Sequence, residues 1–161
     1  MEDIYLFKAK RADNGEWVQG ALVYDDRDRL YRIITEISYS TGTCLMTDNA
    51  PRVDKSTICQ CTGLKDKNEK LIWENDILMC YDNTDNLVKV AYGEFDVIDA
   101  DSLNVSDSVI GWHHEVVSMD ALNKYELLCY DMLPLTEYYI QLMESKRIGN
   151  IFDKPELIKE V

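Results

Sequence analysis

Turn signals recur at short intervals along the chain, and this spacing is the feature that most limits the folds open to it. Polar clusters of the kind that favour tight turns occur at Asp13-Asn14-Gly15, residues 25–28, residues 65–68 and residues 74–76. The runs between turns are short and rich in β-branched and aromatic residues, and residues 88–92 alternate cleanly between apolar and polar. Short strands at this spacing predict a mainly β fold, a barrel or a roll.

The individual elements can be placed from these patterns. We expect strands at residues 4–10, 16–24, 30–37, 56–62, 70–73, 88–92, 95–98, 109–117 and 149–152. Gly93 and Glu94 are expected to form a turn between two of these strands, and Gly20 is expected to mark a bulge or a close backbone approach. Thr136 is a suitable N-cap for a short helix over residues 136–146 that presents Ile140 and Met143 on one face.

The chain is long enough for one domain or for two small ones, with 161 residues of which 46% are hydrophobic. Residues 48–55, which include Pro51, resemble a connector. We therefore predict an N-terminal β-hairpin or meander subdomain at residues 1–56 and a second β subdomain at residues 57–161, with one or two short helices near the C-terminus.

The charge balance is strongly acidic, with 17 Lys and Arg against 30 Asp and Glu and a net charge of −13. Direct binding to nucleic acid is disfavoured, because basic side chains at phosphates supply most of that affinity. No segment approaches the roughly 20 apolar residues that span a bilayer, and Met1-Glu2-Asp3 does not resemble a secretory signal. We expect a cytoplasmic protein with no membrane association.

The five cysteines are odd in number and irregularly spaced, which in the cytosol indicates reduced and mostly buried thiols. Cys59 and Cys61 would lie on one face of a strand, and a structural zinc would need two more ligands. His113 and His114 are the obvious candidates, but adjacent strand residues point to opposite faces. We predict no metal and no other cofactor.

No residue is predicted to be catalytic. His113 and His114 precede Glu115, and we expect one histidine to pack on the sheet while the other faces solvent. An enzyme with an unrecognised site would require a cleft that gathers one of these histidines with Asp76 or Glu115.

A candidate partner surface comes from aromatic side chains that lie beside carboxylates, a combination common at binding surfaces. Its members are Trp73, Glu74, Asn75, Asp76, Trp112 and His113. In the alternative interpretation, Trp73 closes the end of a barrel and Asp76 braces the adjacent turn through backbone hydrogen bonds.

Three segments in the correct order resemble the YopX-like family of bacteriophage and prophage proteins. They are Lys8 to Gly20, with Asp13-Asn14-Gly15-Glu16-Trp17-Val18; Gln60 to Ile77, with Gly63-Leu64-Lys65-Asp66 and Glu74-Asn75-Asp76; and Ile148 to Leu157. The chain departs from the family pattern at Glu69, where Gly is usual, and at Asn75, where Gly is frequent. Asn tolerates positive φ, whereas Glu69 would either be strained by about 1 kcal/mol or shift the turn.

The resemblance implies a two-part β architecture whose second part is an SH3-like barrel, phage or prophage origin, and residence in the bacterial host cytosol. It supplies no catalytic or binding residues. We therefore expect a non-enzymatic accessory protein that acts through a protein partner or self-association. The alternatives are an acidic mimic of nucleic acid that inhibits a host enzyme, and an enzyme with an unrecognised site.

Overall fold

The computed structural model describes residues 3–35, 50–98, 102, 104–118 and 133–158. Strands account for 54% of these residues and form two antiparallel sheets, so the predicted mainly β class is confirmed. The strands are β1 (Phe7–Lys10), β2 (Trp17–Asp25), β3 (Leu30–Ile34), β4 (Cys59–Lys65), β5 (Leu71–Trp73), β6 (Asp76–Met79), β7 (Leu87–Ile98), β8 (Val105–Ser118) and β9 (Lys146–Asn150). Their order is β3-β2-β1-β4-β5 in one sheet and β8-β7-β6-β9 in the other.

The chain divides into two compact units, residues 1–63 and 64–161, and β4 spans this division. The sequence placed the boundary at residues 56 and 57. Within the described residues neither sheet closes on itself into a barrel.

The first unit is built on the antiparallel pairing of β1 with β2 and of β2 with β3. The turn expected at Asn14 and Gly15 is present, with Gly15 at φ 74°. Gly20 makes the expected close approach, because an added Cβ would collide with the carbonyl oxygen of Ile34. Ala9, Ile33 and Val53 form the buried centre of this unit.

The described residues of the second unit include the four-stranded sheet and a short helix, α1 (Glu137–Leu142). Thr136 is the N-cap of α1, as expected, and its side-chain oxygen accepts a hydrogen bond from the backbone N–H of Tyr139 at 3.3 Å. Ile140 and Met143 are buried in the main core cluster. The other members of that cluster are Ile72, Leu78, Cys80, Val88, Val90 and Leu135.

Two expectations about the strands of this unit were wrong. β7 continues through Gly93 and Glu94 without a turn, and it pairs with β8 from Leu87 to Ile98. β9 begins at Lys146 and ends at Asn150, where a turn starts, so the chain has already left the sheet at residues 151–153. In the first unit, β1 begins at Phe7 and not at residue 4, because residues 3–5 form a 3₁₀ turn.

Several other expectations fall on residues that the structure does not describe. They concern the strand end at residues 36–37. The sequence pattern also favours a short strand at Cys44-Leu45-Met46 and a strand or a helix over the apolar residues 125–133, and of these segments only residue 133 is described.

Candidate functional site

The turn after β4 is organised by the buried carboxylate of Asp66, which is 3% exposed. One carboxylate oxygen, Oδ1, accepts the backbone N–H groups of Asn68 at 2.8 Å and Lys70 at 3.0 Å. The other, Oδ2, accepts the backbone N–H of Arg147 at 2.9 Å. A single aspartate therefore closes its own turn and fastens that turn to β9.

A second buried carboxylate, Asp76, organises the next turn. Its Oδ2 accepts the backbone N–H of Trp73 at 2.9 Å and lies 2.7 Å from Nε of Arg147. The N–H bond of that Nε is not aimed at the oxygen, so the contact is an ion pair without good hydrogen-bond geometry. Because Asp76 is fully buried, a nearby cation stabilises it far more than it would a carboxylate in water.

The backbone at both turns enters the left-handed region. Glu69 has φ 61° and Asn75 has φ 64°, so both residues stand in the conformation for which the family pattern favours Gly. The turn at Glu69 has not shifted. We infer that Glu69 carries a local strain of about 1 kcal/mol, the penalty that a Cβ imposes in this region.

The segment after β9 is fixed by Asn150, which is almost fully buried. Its Oδ1 accepts the backbone N–H groups of Phe152 and Asp153, both at 2.9 Å, and its Nδ2 donates to the carboxylate of Asp153 at 2.8 Å. The N–H of Ile151 donates to the carbonyl of Asn75 at 3.1 Å. The middle and closing motifs thus meet in one network that determines backbone geometry.

His113 and His114 are both buried, at 7% and 0% exposure, so the expectation that one would face solvent was wrong. His114 shares its face with Val90 of the main core cluster, and His113 stacks on Phe95 on the opposite face. Residues 133–135 pair with the edge of β8 at the same point. The N–H of His114 donates to the carbonyl of Leu133, and the N–H of Leu135 donates to the carbonyl of Trp112.

The ring of His113 lies over a gap between two glycines. Gly93 pairs with Gly111 across the two strands, and neither has a side chain to fill that position. His113 stacks there on Phe95, with ring centroids 4.8 Å apart and planes 25° apart. Its Nδ1 is 3.2 Å from the carbonyl oxygen of Gly111, and its Nε2 is 3.8 Å from Oε1 of Glu115, beyond hydrogen-bond distance.

His114 points to the other face of the sheet, where it pairs with Val90 beside the main core cluster. Neither of its ring nitrogens has a hydrogen-bond partner among the residues the structure describes. Burial, reinforced by the neighbouring His113, lowers the pKa of His114 to about 4. The imidazole is therefore neutral at physiological pH, and no described nucleophile or carboxylate is hydrogen-bonded to it.

The cysteines that the structure describes, Cys59, Cys61 and Cys80, are all buried as expected. Burial raises the pKa of Cys80 to about 11, and Sγ of Cys80 lies 3.8 Å from Oγ of Ser145. Within the described ranges, no group of three or more His, Cys, Asp or Glu side chains is arranged to hold a metal ion.

Beyond the pairing of β7 with β6, β7 and β8 continue as an extension that, in the described part of the chain, contains these two strands. We call this extension the outer ribbon, residues 92–97 paired with residues 107–112. On one of its faces Tyr92 is 57% exposed and Ile110 is 72% exposed. Tyr92 contacts the half-buried Trp112 edge to face, with centroids 5.0 Å apart. Glu94 pairs with Ile110 on the same face, next to this apolar group.

The residues of the predicted partner surface differ in their exposure to solvent. Trp73, Asp76 and His113 are buried, whereas Glu74, Asn75 and Trp112 are partly exposed. The contact of Asp76 with the backbone of Trp73 matches the bracing role that the alternative interpretation gave it. Trp112 is the predicted member that lies on the outer ribbon.

Sequence reasoning missed four residues that matter here: Arg147, Asn150, Tyr92 and Ile110. Arg147 acts through partners distant in sequence, and no local pattern marks it. Asn150 binds the nearby Phe152 and Asp153, and it lies within the closing segment of the family resemblance. Only the register of β7 on β8 would have shown that Tyr92 and Ile110 lie on the same face of the ribbon. The alternation of apolar and polar residues showed that Tyr92 belongs to a strand, but it did not show which face of that strand is covered.

Comparison with known proteins gives one result that spans nearly the whole chain. The model of the family described as YopX protein matches residues 6–159. A comparison with curated proteins returned no match. Among the described residues, no helix combines the length and hydropathy needed to cross a bilayer. The family match includes all three segments whose resemblance was noted in the sequence, and the chain belongs to the YopX protein family.

Proposed function

We propose that this chain is a non-enzymatic interaction module that binds a protein partner through the outer ribbon. The observation that carries the proposal is the exposed apolar group of Tyr92 and Ile110 beside Trp112 on one face of that ribbon. Aromatic side chains with adjacent aliphatic ones are the usual anchors of protein interfaces. A contiguous exposed group of this kind is more informative than single exposed apolar residues elsewhere.

The placement of the buried polar groups supports the same proposal. Asp66, Asp76 and Asn150 each accept backbone N–H groups at turns. His114 faces the core, and no acid or nucleophile among the described side chains is hydrogen-bonded to it. These side chains have structural roles, which leaves the exposed faces as the parts able to act on other molecules.

The resemblance to phage and prophage proteins supports a proposal about where the protein acts. We propose an accessory protein encoded by a phage or prophage that acts in the cytosol of the bacterial host. The acidic balance of the chain, with a net charge of −13, favours partners that carry basic surfaces.

The experiment is affinity capture from bacterial lysate with the native chain and with the double variant Tyr92→Ser and Ile110→Ser. The matched control replaces two exposed residues of similar type on α1, Tyr138→Ser and Leu142→Ser. We expect the ribbon variant to lose partners that the native chain and the α1 variant both retain. Retention of the same partners by all three proteins would contradict the proposal.

A further inference from the structure

Among the residues that the structure describes, no strand pairs with the edge of β7 that faces away from β8 in the outer ribbon, and we call this the open edge. Strand β6 pairs with β7 at Leu87–Lys89, and the carbonyl of Val90 accepts the N–H of Asn75. Beyond Val90, the described part of the chain supplies backbone partners to β7 from β8 only. An open strand edge presents unpaired N–H and C=O groups and is a template for another strand.

The hydrogen bond from Asn75 to the carbonyl of Val90 shows that the backbone groups of Val90 point away from β8. Backbone groups along a strand alternate between its two neighbours, and no bulge interrupts β7 between Val90 and Val97. Tyr92, Glu94 and Asp96 therefore direct their N–H and C=O groups to the same side as Val90, which is the open side. A strand added here would hydrogen-bond to these three residues.

The side chains of these three residues also share one face, since side chains alternate with a period of two. Tyr92 supplies an exposed aromatic ring, and Glu94 and Asp96 supply two carboxylates. The oxygen Oε1 of Glu94 accepts a hydrogen bond from Ser108 at 3.2 Å, which holds that carboxylate on the ribbon. Residues 90–98 and 105–112 include no Lys or Arg, so nothing within the ribbon sequence neutralises the pair.

The negative charge of this edge determines which kind of strand can bind there. Opposite charges on directly opposed strand residues are stabilising, and like charges are destabilising. A second copy added antiparallel about Glu94 would oppose Glu94 to itself and would place Asp96 against Tyr92. An incoming strand with basic residues at alternate positions would instead place a cation opposite each carboxylate.

Building on the interaction function proposed above, we propose that the open edge of β7 binds an extended basic segment of a partner protein by strand addition. The segment carries an apolar side chain opposite Tyr92 and Lys or Arg opposite Glu94 and Asp96. Main-chain hydrogen bonds supply the affinity in this mode, and the alternating side chains supply the specificity.

The first test measures fluorescence anisotropy with the labelled peptide Ile-Thr-Lys-Thr-Lys-Thr-Ile. The controls are the same peptide with Glu in place of Lys, and the 161-residue chain that carries Glu94→Lys and Asp96→Lys. We expect the native chain to bind the Lys peptide about tenfold more tightly than the variant does, the effect of reversing two cross-strand charge pairs. The variant should prefer the Glu peptide, and this exchange of preference cannot arise from simple loss of folding.

Absence of binding to the Lys peptide, or binding that the charge reversal leaves unchanged, would overturn the proposal. In that case Glu94 and Asp96 would only protect the edge from strand pairing, as charges on edge strands often do. A concentration-dependent dimer of the native chain in light scattering, abolished by the charge reversal, would also overturn it in favour of a second copy.

Selection of a random 12-residue peptide library on the native chain separates the failure of this inference from that of the proposed function. Enriched basic peptides that no longer bind the charge-reversed variant support both. Enriched peptides without basic residues that lose binding to the Tyr92→Ser and Ile110→Ser variant overturn the inference and retain the function. Enriched peptides that bind all variants equally overturn both.

Discussion

Asp66 accepts the backbone N–H of Arg147 at 2.9 Å, although the two residues lie 81 positions apart in sequence. The same carboxylate closes its own turn through the N–H groups of Asn68 and Lys70. Residues that define the middle segment of the family resemblance are therefore bound to β9, the strand in which its closing segment begins. The network of buried hydrogen bonds accounts for why these polar residues occur in otherwise apolar surroundings.

Replacing Asp66 with alanine should destabilise the second unit by about 2–4 kcal/mol, because three part-buried backbone hydrogen bonds lose their charged acceptor. Urea denaturation monitored by tryptophan fluorescence would measure the change. Asn68→Ala, an exposed residue of the same turn, is the matched control and should change the free energy of unfolding by less than about 0.5 kcal/mol. Equal stability of the two variants would refute the role given to Asp66.

Glycine at position 69 should stabilise the protein. Glu69 has φ 61°, and removing its Cβ relieves about 1 kcal/mol of strain, part of which is offset by the greater freedom of glycine in the unfolded chain. A net gain of about 0.5 kcal/mol is expected for Glu69→Gly, and a smaller one for Asn75→Gly, because Asn tolerates this conformation. Asn68→Gly, at a position outside the left-handed region, should destabilise. A loss of stability in Glu69→Gly would show that the strain is absent.

The stability of the second unit should depend on pH through His114. Its pKa is about 4 in the folded protein and about 6.5 in the unfolded chain, so the unfolded state binds the proton first as pH falls. The stability due to the neutral ring is complete above pH 6.5 and is lost progressively down to about pH 4. Between pH 7.5 and pH 5 the expected loss is about 2 kcal/mol.

His114→Leu isolates this contribution, because leucine has a similar volume and no titrating group. The variant should be at least as stable as the native protein at pH 7.5, where the histidine nitrogens lack partners among the described residues. Urea titrations at pH 7.5 and pH 5 should then give a smaller decrease for the variant. Parallel decreases in both proteins would assign the acid sensitivity to other groups.

Cys80 should resist alkylation in the folded protein. Burial raises the pKa of its thiol to about 11, so little thiolate forms at pH 8, and the side chain is almost inaccessible. Treatment with iodoacetamide followed by peptide mass mapping should leave Cys80 unmodified until urea is added. Modification of Cys80 at equal rates with and without urea would contradict its place in the core.

Local features of the fold could be predicted from the sequence because they depend on neighbouring residues. The turn at Gly15, the N-cap at Thr136 and the positive φ at Asn75 each follow from a residue type suited to one backbone conformation. The mainly β class followed from the spacing of such turns. None of these predictions required knowledge of which strands pair.

Features that depend on strand register could not be obtained in this way. Gly93 indicated a turn, yet it lies within β7, where its pairing with Gly111 leaves room for the ring of His113. His114 is buried because its pairing with Val90 places it on the face of the main core cluster, and no property of its sequence neighbours indicates this. The exposed side chains of the outer ribbon were missed for the same reason.

The position of β9 in the sheet has a consequence for how the protein emerges during translation. β6 is synthesised well before β9, yet it lies between β7 and β9 in the finished sheet. Until residue 147 has left the ribosome, one edge of β6 lacks its neighbour and the carboxylates of Asp66 and Asp76 lack Arg147. The four-stranded sheet therefore cannot be completed before β9 is synthesised. An incomplete nascent chain would expose the unpaired edge of β6 to chaperones.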